Sequence, residues 1–275
     1  MKKETDDRAH SEFSMSGFSR TVACPASIPL SKLAPPLPDH PSGIEGTEAH
    51  KCVEAFLKNP KKPYIIKNFL LKTYPDTMVQ HGFETFNKIM AIVAGYPGAT
   101  FEAETRIDTS HITEKGNFGT TDCVIIAGKT LIIIDYKYGV MPVDPAENWQ
   151  LIGYALGTAK KHNYKFTYVE LVIIQPRRRD NAPKVSVWKT TMKHLRTWEP
   201  RFLKAVARTK VKNPVVQIGS HCFFCPARVF NCPAYREKEF ENAKELFQDV
   251  EADDWLEAFL KPRPKRGEKT NGRKR

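Results

Sequence analysis

Two acidic residues and a lysine lie at the ends of neighbouring apolar segments. Asp122 ends the sequence Gly-Thr-Thr-Asp, and Asp135 stands two residues before Lys137, after a run of isoleucines. Two carboxylates can hold Mg²⁺ or Mn²⁺, and the ion's bound water then serves as a nucleophile. A nearby ammonium group stabilises charge that develops on a phosphate oxygen. These residue types indicate metal-assisted cleavage of a phosphodiester.

A β-hairpin is the element that would bring the two acids together. Segments 122–127 and 130–136 are apolar and rich in isoleucine, and the Gly-Lys pair between them is typical of a tight turn. Side chains alternate across a strand, so Asp135 and Lys137 are expected on one face. Charge at the end of an apolar strand is costly to bury unless it is paired or used. A simple surface ion pair between these two residues remains the alternative.

Further helices and strands are predicted around the hairpin. A helix over 146–161 places Gln150 and Tyr154 on one face, because residues four apart are neighbours on a helix. The order of elements is typical of an α/β fold. The other predicted elements are helices at 45–59, 77–94, 192–208, 235–247 and 252–260, and strands at 100–107, 166–175 and 184–189.

These motifs resemble the RecB-type branch of the PD-(D/E)XK nuclease superfamily, which includes AddB nuclease domains, CRISPR-associated exonucleases and many phage exonucleases. The resemblance spans most of the chain. Its motifs are a helix histidine in Gly46-Thr-Glu-Ala-His50, the G-x-x-D and D-x-K strands, and the Q-x-x-x-Y helix. It implies a restriction-endonuclease-like core, with a central mixed β-sheet flanked by helices. It also implies a phage-encoded DNA exonuclease acting in DNA recombination, replication or degradation.

The resemblance assigns roles to individual residues. Outside these motifs, Glu104 is a further candidate metal ligand, but Glu102 lies on the same strand face and either could approach the metal through water; a solvated strand carboxylate is the alternative. The implied metal ligands are His50, Asp122 and Asp135; the implied catalytic residues are Lys137, Asp122 and Asp135, with Gln150 and Tyr154 orienting the substrate or the lysine.

Four of the six cysteines form a second motif. A C-x-x-C pair with one cysteine downstream and another far upstream does not identify an ion, because thiolates bind zinc and iron–sulfur clusters alike. By the resemblance, the four would hold a 4Fe–4S cluster that joins the N- and C-terminal segments, with zinc as the alternative. Cys52 and Cys123 are expected in the core. The four predicted cluster ligands are Cys24, Cys222, Cys225 and Cys232.

The formal net charge is +12, and much of it lies at the C-terminus. Residues 261–275 contain eight basic residues against one glutamate, in a composition too polar to fold alone, which predicts a disordered arm. Such an arm attracts phosphates without recognising bases. The predicted DNA contacts are Lys261, Arg263, Lys265 and Arg266 in the arm, and Arg177, Arg178 and Arg179 in a loop after the strand at 166–175.

The predicted organisation is an N-terminal segment at 1–44, a nuclease core at 45–210, a cysteine-bearing helical segment at 211–260 and the tail. The polar N-terminus and the absence of a long apolar run predict a cytoplasmic protein with no membrane partner. DNA is the expected partner, with a single-strand-binding or annealing protein as a further one. Two other interpretations stay open: a catalytically silent DNA-binding or recombination scaffold, and a zinc-dependent nucleic-acid-binding protein. The presence of both acids and the lysine disfavours the scaffold.

Overall fold

A computed structural model describes residues 11–35, 40–230 and 232–246 of the chain. The chain separates into two compact units, Met1–Asn231 and Cys232–Arg275. None of the helices in the described ranges is long and apolar enough to cross a lipid bilayer. The helices are α1 (Phe18–Ala23), α2 (Ser27–Lys32), α3 (Pro41–Lys58), α4 (Pro63–Leu70), α5 (Asp76–Ala94), α6 (Trp149–Lys161), α7 (Met192–Arg196), α8 (Glu199–Thr209) and α9 (Ala227–Phe230) in the first unit, and α10 (Pro233–Leu246) in the second.

A five-stranded sheet forms the centre of the first unit, with its strands in sequence order. All neighbouring strands are antiparallel except the third and fourth, which are parallel and connected through α6. Parallel strands need a long crossover connection, because a short turn reverses the chain direction and joins only antiparallel strands. The strands are β1 (Thr100–Asp108), β2 (Phe118–Ala127), β3 (Thr130–Tyr136), β4 (Tyr168–Ile174) and β5 (Val185–Thr191).

Both faces of the central strand β3 are buried, which explains its continuous apolar sequence. Ile132 and Ile134 pack with α3 and α5 on one face. Leu131 and Ile133 pack with α6 and α8 on the other. The core between the sheet and α6 also includes the N-terminal segment, through the fully buried side chains of Phe13, Met15 and Phe18.

The predicted fold class, a central mixed sheet flanked by helices, is confirmed. The predicted strands each agree with an observed strand, and α3, α5 and α6 lie where helices were expected. The expected single helix over 192–208 is wrong. The chain instead forms α7 and α8, because Pro200 is excluded from a helix interior and lies in the first turn of α8.

Four short helices among the described residues were not predicted. They are α1 and α2 in the N-terminal segment, α4 between the predicted helices at 45–59 and 77–94, and α9 in the cysteine-bearing segment. Pro63 begins α4, where a missing backbone N–H costs nothing. The helix expected over 252–260 and the basic tail lie outside the described residues. The proposed four-part domain division stays a prediction.

Candidate active site

The hairpin register places Asp122 and Asp135 opposite each other. Cys123 and Ile134 are the last paired residues of β2 and β3, and each acid is the next residue along its strand. The turn is two residues long and has Gly128 at φ +57°, a conformation that glycine adopts without strain. Beyond the paired region, a carboxylate oxygen of Asp122 accepts the Tyr136 backbone N–H at 2.6 Å. The Asp122 side chain thus supplies the hydrogen-bond acceptor for this backbone N–H.

His50 reaches the site from α3. The helix starts with Pro41 at its first turn and with the His40 side chain accepting the Ser42 backbone N–H. On the buried side of α3, the His50 Nδ1 lies 2.8 Å from Asp122 Oδ1. The imidazole also makes an edge contact with the Tyr136 ring at 5.3 Å between centroids. Asp122 is thus bound by a histidine through one oxygen and by the backbone through the other.

Glu104 lies opposite Asp122 on β1, in a break in the pairing. Ala103 pairs with Cys123 and Thr105 pairs with Thr121, so Glu104 and Asp122 occupy the intervening positions. Glu104 has φ +49°, a left-handed backbone conformation that is costly for a non-glycine residue. Ligand atoms of His50, Glu104 and Asp122 all lie within 4.8 Å of one another. These three side chains could hold a metal ion.

The left-handed conformation also changes which way β1 faces. Ala103 packs against the core formed with α3 and α5, whereas Ile107 belongs to the core formed with α6. Both are odd-numbered and would share a face in a regular strand. The alternation therefore reverses around Glu104. In a regular strand Glu102 and Glu104 would share a face, so strand periodicity alone could not show which of them is the metal ligand.

Lys137 is held by two partners beside this group. Its Nζ lies 2.9 Å from Asp135 Oδ2 and donates to Gln150 Oε1 at 2.8 Å. The Gln150 Nε2 donates in turn to Asp135 Oδ1 at 2.7 Å. Gln150 is fixed in the first turn of α6, where the Asn148 side chain accepts its backbone N–H. The three side chains form a closed ring of polar contacts.

Tyr154 packs one helical turn further along α6. Its ring lies so close to Gly119 that a Cβ on that glycine would stand 2.7 Å from Tyr154 Cε1. Glycine at this position of β2 is therefore needed for the approach of the tyrosine. Burial raises the pKa of Tyr154, so its hydroxyl stays protonated.

The two aspartates have opposite electrostatic environments. Burial alone would raise the pKa of Asp122, but the charge and hydrogen bond of His50 lower it below the usual range. Burial raises the pKa of Asp135, and the charge of Lys137 offsets this only in part. Burial alone would lower the pKa of His50, but the charge of Asp122 and their hydrogen bond raise it to about 9. The electrostatics of this pair therefore favour a protonated imidazole and an ionised Asp122 carboxylate.

These residues line an open cleft of about 700 Å³. The N-terminal segment contributes Ser14 and Ser16 to its wall, and β1 contributes Arg106. None of these three belongs to the motifs that identified the site. For Arg106 the available signal was its place two residues after Glu104 on the same strand. The remaining lining includes all of His50, Glu104, Asp122, Asp135, Lys137, Gln150 and Tyr154.

The arginine loop predicted to contact DNA has two of its three guanidinium groups paired with acids. Arg177 lies 2.6 Å from Glu45 and 4.5 Å from the centroid of the Tyr138 ring. Arg178 binds Asp180 and donates to the Val143 carbonyl. The assignment of Arg177, Arg178 and Arg179 to DNA binding stays a prediction. Lys261, Arg263, Lys265 and Arg266 lie outside the described residues.

Four of the six cysteines are buried, and Cys222 and Cys225 are half-buried. Cys52 and Cys123 are fully buried, as expected, and burial raises the pKa of their thiols to about 11 and about 12. Cys24 is buried where the N-terminal segment meets residues 215–217, and its Sγ accepts the Gln217 backbone N–H at 3.5 Å. Among the described residues, no group of three ligand atoms within 4.8 Å of one another includes a cysteine. The structure therefore does not show a cysteine-bound metal or cluster.

The chain belongs to the family described as a protein of unknown function, DUF2800, whose model matches residues 10–265. The solved structures that are similar to this chain include the following three. SSO0001 is 16% identical, with a TM-score of 0.33 over 69% of this chain and 85% of its own. The LHK-Exo complex with dAMP is 15% identical, with a TM-score of 0.30 over 59% and 86%. The alkaline exonuclease LHK-Exo from Laribacter hongkongensis is 12% identical, with a TM-score of 0.28 over 71% and 94%.

Proposed function

We propose that this protein is a metal-dependent nuclease that hydrolyses phosphodiester bonds of DNA. The observation that carries the proposal is the metal-ligating group of His50, Glu104 and Asp122, in one open cleft with the lysine of the D-x-K motif. A surface ion pair would not require a buried aspartate, a strained strand residue and a helix histidine to meet at one point. The site instead combines side chains from a helix, α3, and two strands, β1 and β2.

The donor set fits a divalent ion. Carboxylate oxygens suit Mg²⁺ and Mn²⁺, and imidazole nitrogen favours the transition metal of the two. In the proposal, His50, Glu104, Asp122 and Asp135 supply the ligands. When bound, the ion would supply Lewis-acid stabilisation of the phosphate and lower the pKa of a bound water.

The residues around the ligands have separate tasks in this proposal. Asp135 and Gln150 fix the Lys137 ammonium in one orientation, at 2.9 Å and 2.8 Å. A fixed ammonium can orient the attacking water and stabilise negative charge on the phosphate without reorganising during the reaction. Tyr154 stays protonated, and its hydroxyl can donate a hydrogen bond to the substrate strand.

Finer aspects of the proposal rest on the motif resemblance. They are exonucleolytic attack, a phage-encoded protein in the host cytoplasm, a role in DNA recombination, replication or degradation, and a single-strand-binding or annealing partner. End-labelled DNA distinguishes exonucleolytic from internal cleavage, because the first releases mononucleotides from the start and the second releases fragments.

An iron–sulfur cluster on Cys24, Cys222, Cys225 and Cys232 is also part of the proposal. It is supported by the packing of Cys24 against residues 215–217, which precede the C-x-x-C pair by a few residues. Iron and acid-labile sulfide in anaerobically purified protein, lost together in Cys24→Ser, are the expected result. Stoichiometric zinc without iron would contradict the cluster and indicate a zinc site instead.

The nuclease proposal is tested with 5′- and 3′-end-labelled single- and double-stranded DNA in Mg²⁺, Mn²⁺ or chelator. Lys137→Met is compared with Lys189→Met, because Lys189 also pairs with a carboxylate, that of Glu170 at 2.9 Å, but lies outside the cleft. Wild type and Lys189→Met are expected to cleave with metal and not with chelator, and Lys137→Met is expected not to cleave. Equal cleavage by both variants, or cleavage in chelator, would exclude the mechanism.

A further inference from the structure

Three of the described residues that line the cleft have basic side chains, and two of these have anionic partners. His50 is bound to Asp122, and Lys137 is bound to Asp135. The third is Arg106, an exposed residue of β1. Within residues 11–35, 40–230 and 232–246, no ion pair includes Arg106. Its charge faces the cleft, and no carboxylate within those ranges forms an ion pair with it.

The Arg106 guanidinium is held in place by an aromatic ring. Its Cζ lies 3.4 Å from the centroid of the Phe118 ring, on the neighbouring strand. At this contact distance the flat guanidinium rests on the ring face, a cation–π arrangement. The N–H groups lie in the guanidinium plane and stay available to an anion. Phe118 therefore restricts the arginine without using its hydrogen-bond donors.

A hydroxyl group lies beside this arginine. Thr120 pairs directly with Arg106 across β1 and β2, and both line the cleft. Glu104 and Asp122 lie two positions along the two strands from this pair, beyond Thr105 and Thr121. A guanidinium and a hydroxyl thus stand next to the point where a phosphodiester would be cleaved.

We propose that Arg106 and Thr120 form a binding site for a backbone phosphate adjacent to the one that is hydrolysed. The inference rests on the proposed nuclease function, because it assumes that a nucleic-acid strand crosses the cleft. A strand approaching Glu104, Asp122 and Asp135 brings further negative charge, and the Arg106 guanidinium offsets it. The planar fork of arginine also matches two phosphate oxygens at once. The ligand is therefore a phosphodiester phosphate, recognised without regard to base sequence.

The first test measures binding to a fluorescent oligonucleotide in chelator at several salt concentrations, using full-length protein. Arg106→Gln is expected to weaken binding about tenfold at low salt. Losing one phosphate contact should also reduce the magnitude of the slope of log affinity against log salt by about 0.7 to 0.9. The matched control is Arg196→Gln, because Arg196 also lies over an aromatic ring, Tyr164 at 4.7 Å, but outside the cleft. Its binding and slope should equal those of wild type.

The second test locates the contact, using oligonucleotides with one uncharged methylphosphonate linkage moved along the strand. Wild type should lose affinity at several positions, and Arg106→Gln should become insensitive at one of them, next to the cleavage point. An identical position profile for both proteins, or an unchanged salt slope, would overturn the inference. Thr120→Val, which keeps the shape of the side chain, should weaken binding at the same position.

These measurements separate the two proposals. Binding in chelator needs no hydrolysis, so a wild-type protein that binds in the expected way but never cleaves would contradict the nuclease proposal alone. A wild-type protein that cleaves, with Arg106→Gln unaltered in binding, would contradict the phosphate site alone.

Discussion

Asp122 and Asp135 face each other one position beyond the last paired residues of a two-residue hairpin. Asp122 is bound by an imidazole at 2.8 Å, and Asp135 by an ammonium at 2.9 Å. Each acid thus has a cationic partner from a different element, since His50 comes from α3 and Lys137 follows β3. The two-residue turn places the two acids opposite each other, and the cationic partners set the charge of each acid.

Removing Lys137 is expected to destabilise the protein as well as abolish cleavage. Asp135 is buried, so Lys137→Met leaves its charge without this cationic partner, and the free energy of unfolding should fall by about 3–5 kcal/mol. Adding Asp135→Asn removes that charge and should restore part of the loss, although activity stays absent. Urea unfolding of the two variants measures this coupling. Equal stability of single and double variants would show that Asp135 is not charged in the folded protein.

The control for this cycle is Lys189→Met. Lys189 is largely exposed in its pair with Glu170, so solvent screens the interaction and the expected loss is below about 1 kcal/mol. A loss as large as that of Lys137→Met would indicate a general effect of removing lysine.

The metal-free protein should become less stable as the pH rises from about 6.5 to about 9. His50 has a folded-state pKa of about 9 against an ordinary value of 6.5, so its protonation stabilises the fold at the lower pH. This stabilisation is fully present below the unfolded-state pKa and is lost as the pH passes the folded-state pKa. Urea unfolding in chelator at several pH values measures it. His50→Gln should lose this part of the pH dependence, and an unchanged dependence in the variant would assign it to another group.

Glu104→Gly and Glu102→Gly are expected to differ in stability. Glycine adopts the φ of +49° found at Glu104 without strain, which offsets the loss of the side chain by about 1–2 kcal/mol. At Glu102, which has no positive φ, glycine should cost about 0.5–1 kcal/mol. Urea unfolding should therefore show Glu104→Gly as the more stable variant.

The same pair separates stability from metal binding. Calorimetric titration with Mn²⁺ should show affinity weakened at least about tenfold in Glu104→Gly and unchanged in Glu102→Gly. Equal affinities would mean that Glu104 is not a ligand, despite its place beside His50 and Asp122.

Local patterns in the sequence account for the centre of the site. The Gly-Lys turn sets the register of the hairpin. Asp135 and Lys137, two residues apart, share one face of their strand. Gln150 and Tyr154, four residues apart, share one face of α6. The structure brings Asp135, Lys137 and Gln150 together through these relationships. Each depends on periodicities that hold for any strand or helix.

Other features depend on contacts distant in the chain and could not be predicted. The choice between Glu104 and Glu102 depends on one backbone angle, which follows from packing rather than from the local sequence. Arg177 is close to Glu45, which is 132 residues away. Burial of Phe13 and Met15 likewise depends on α6, far downstream. Such pairings are set by the assembled core and leave no short-range signal.

Gly119→Ala tests whether the position of Tyr154 matters for activity. The added methyl group would lie 2.7 Å from Tyr154 Cε1 and 3.1 Å from its hydroxyl, so the ring must move. Overpacking of this kind costs about 1–3 kcal/mol of stability. Because Tyr154 is one helical turn from Gln150, whose side chain holds Lys137, a shift of the ring should also lower kcat by about 10²-fold.

Gly139→Ala is the matched control for this substitution. A Cβ at Gly139 meets no atom within 4 Å, and its φ is not in the left-handed region, so stability and cleavage should equal those of wild type. Differential scanning fluorimetry and single-turnover cleavage of labelled DNA measure both quantities for the two variants. If Gly119→Ala lowers stability but cleaves at the wild-type rate, the tyrosine packs against the strand without positioning the substrate or the lysine. If it cleaves slowly while Gly139→Ala does not, the contact between β2 and α6 is part of the catalytic arrangement.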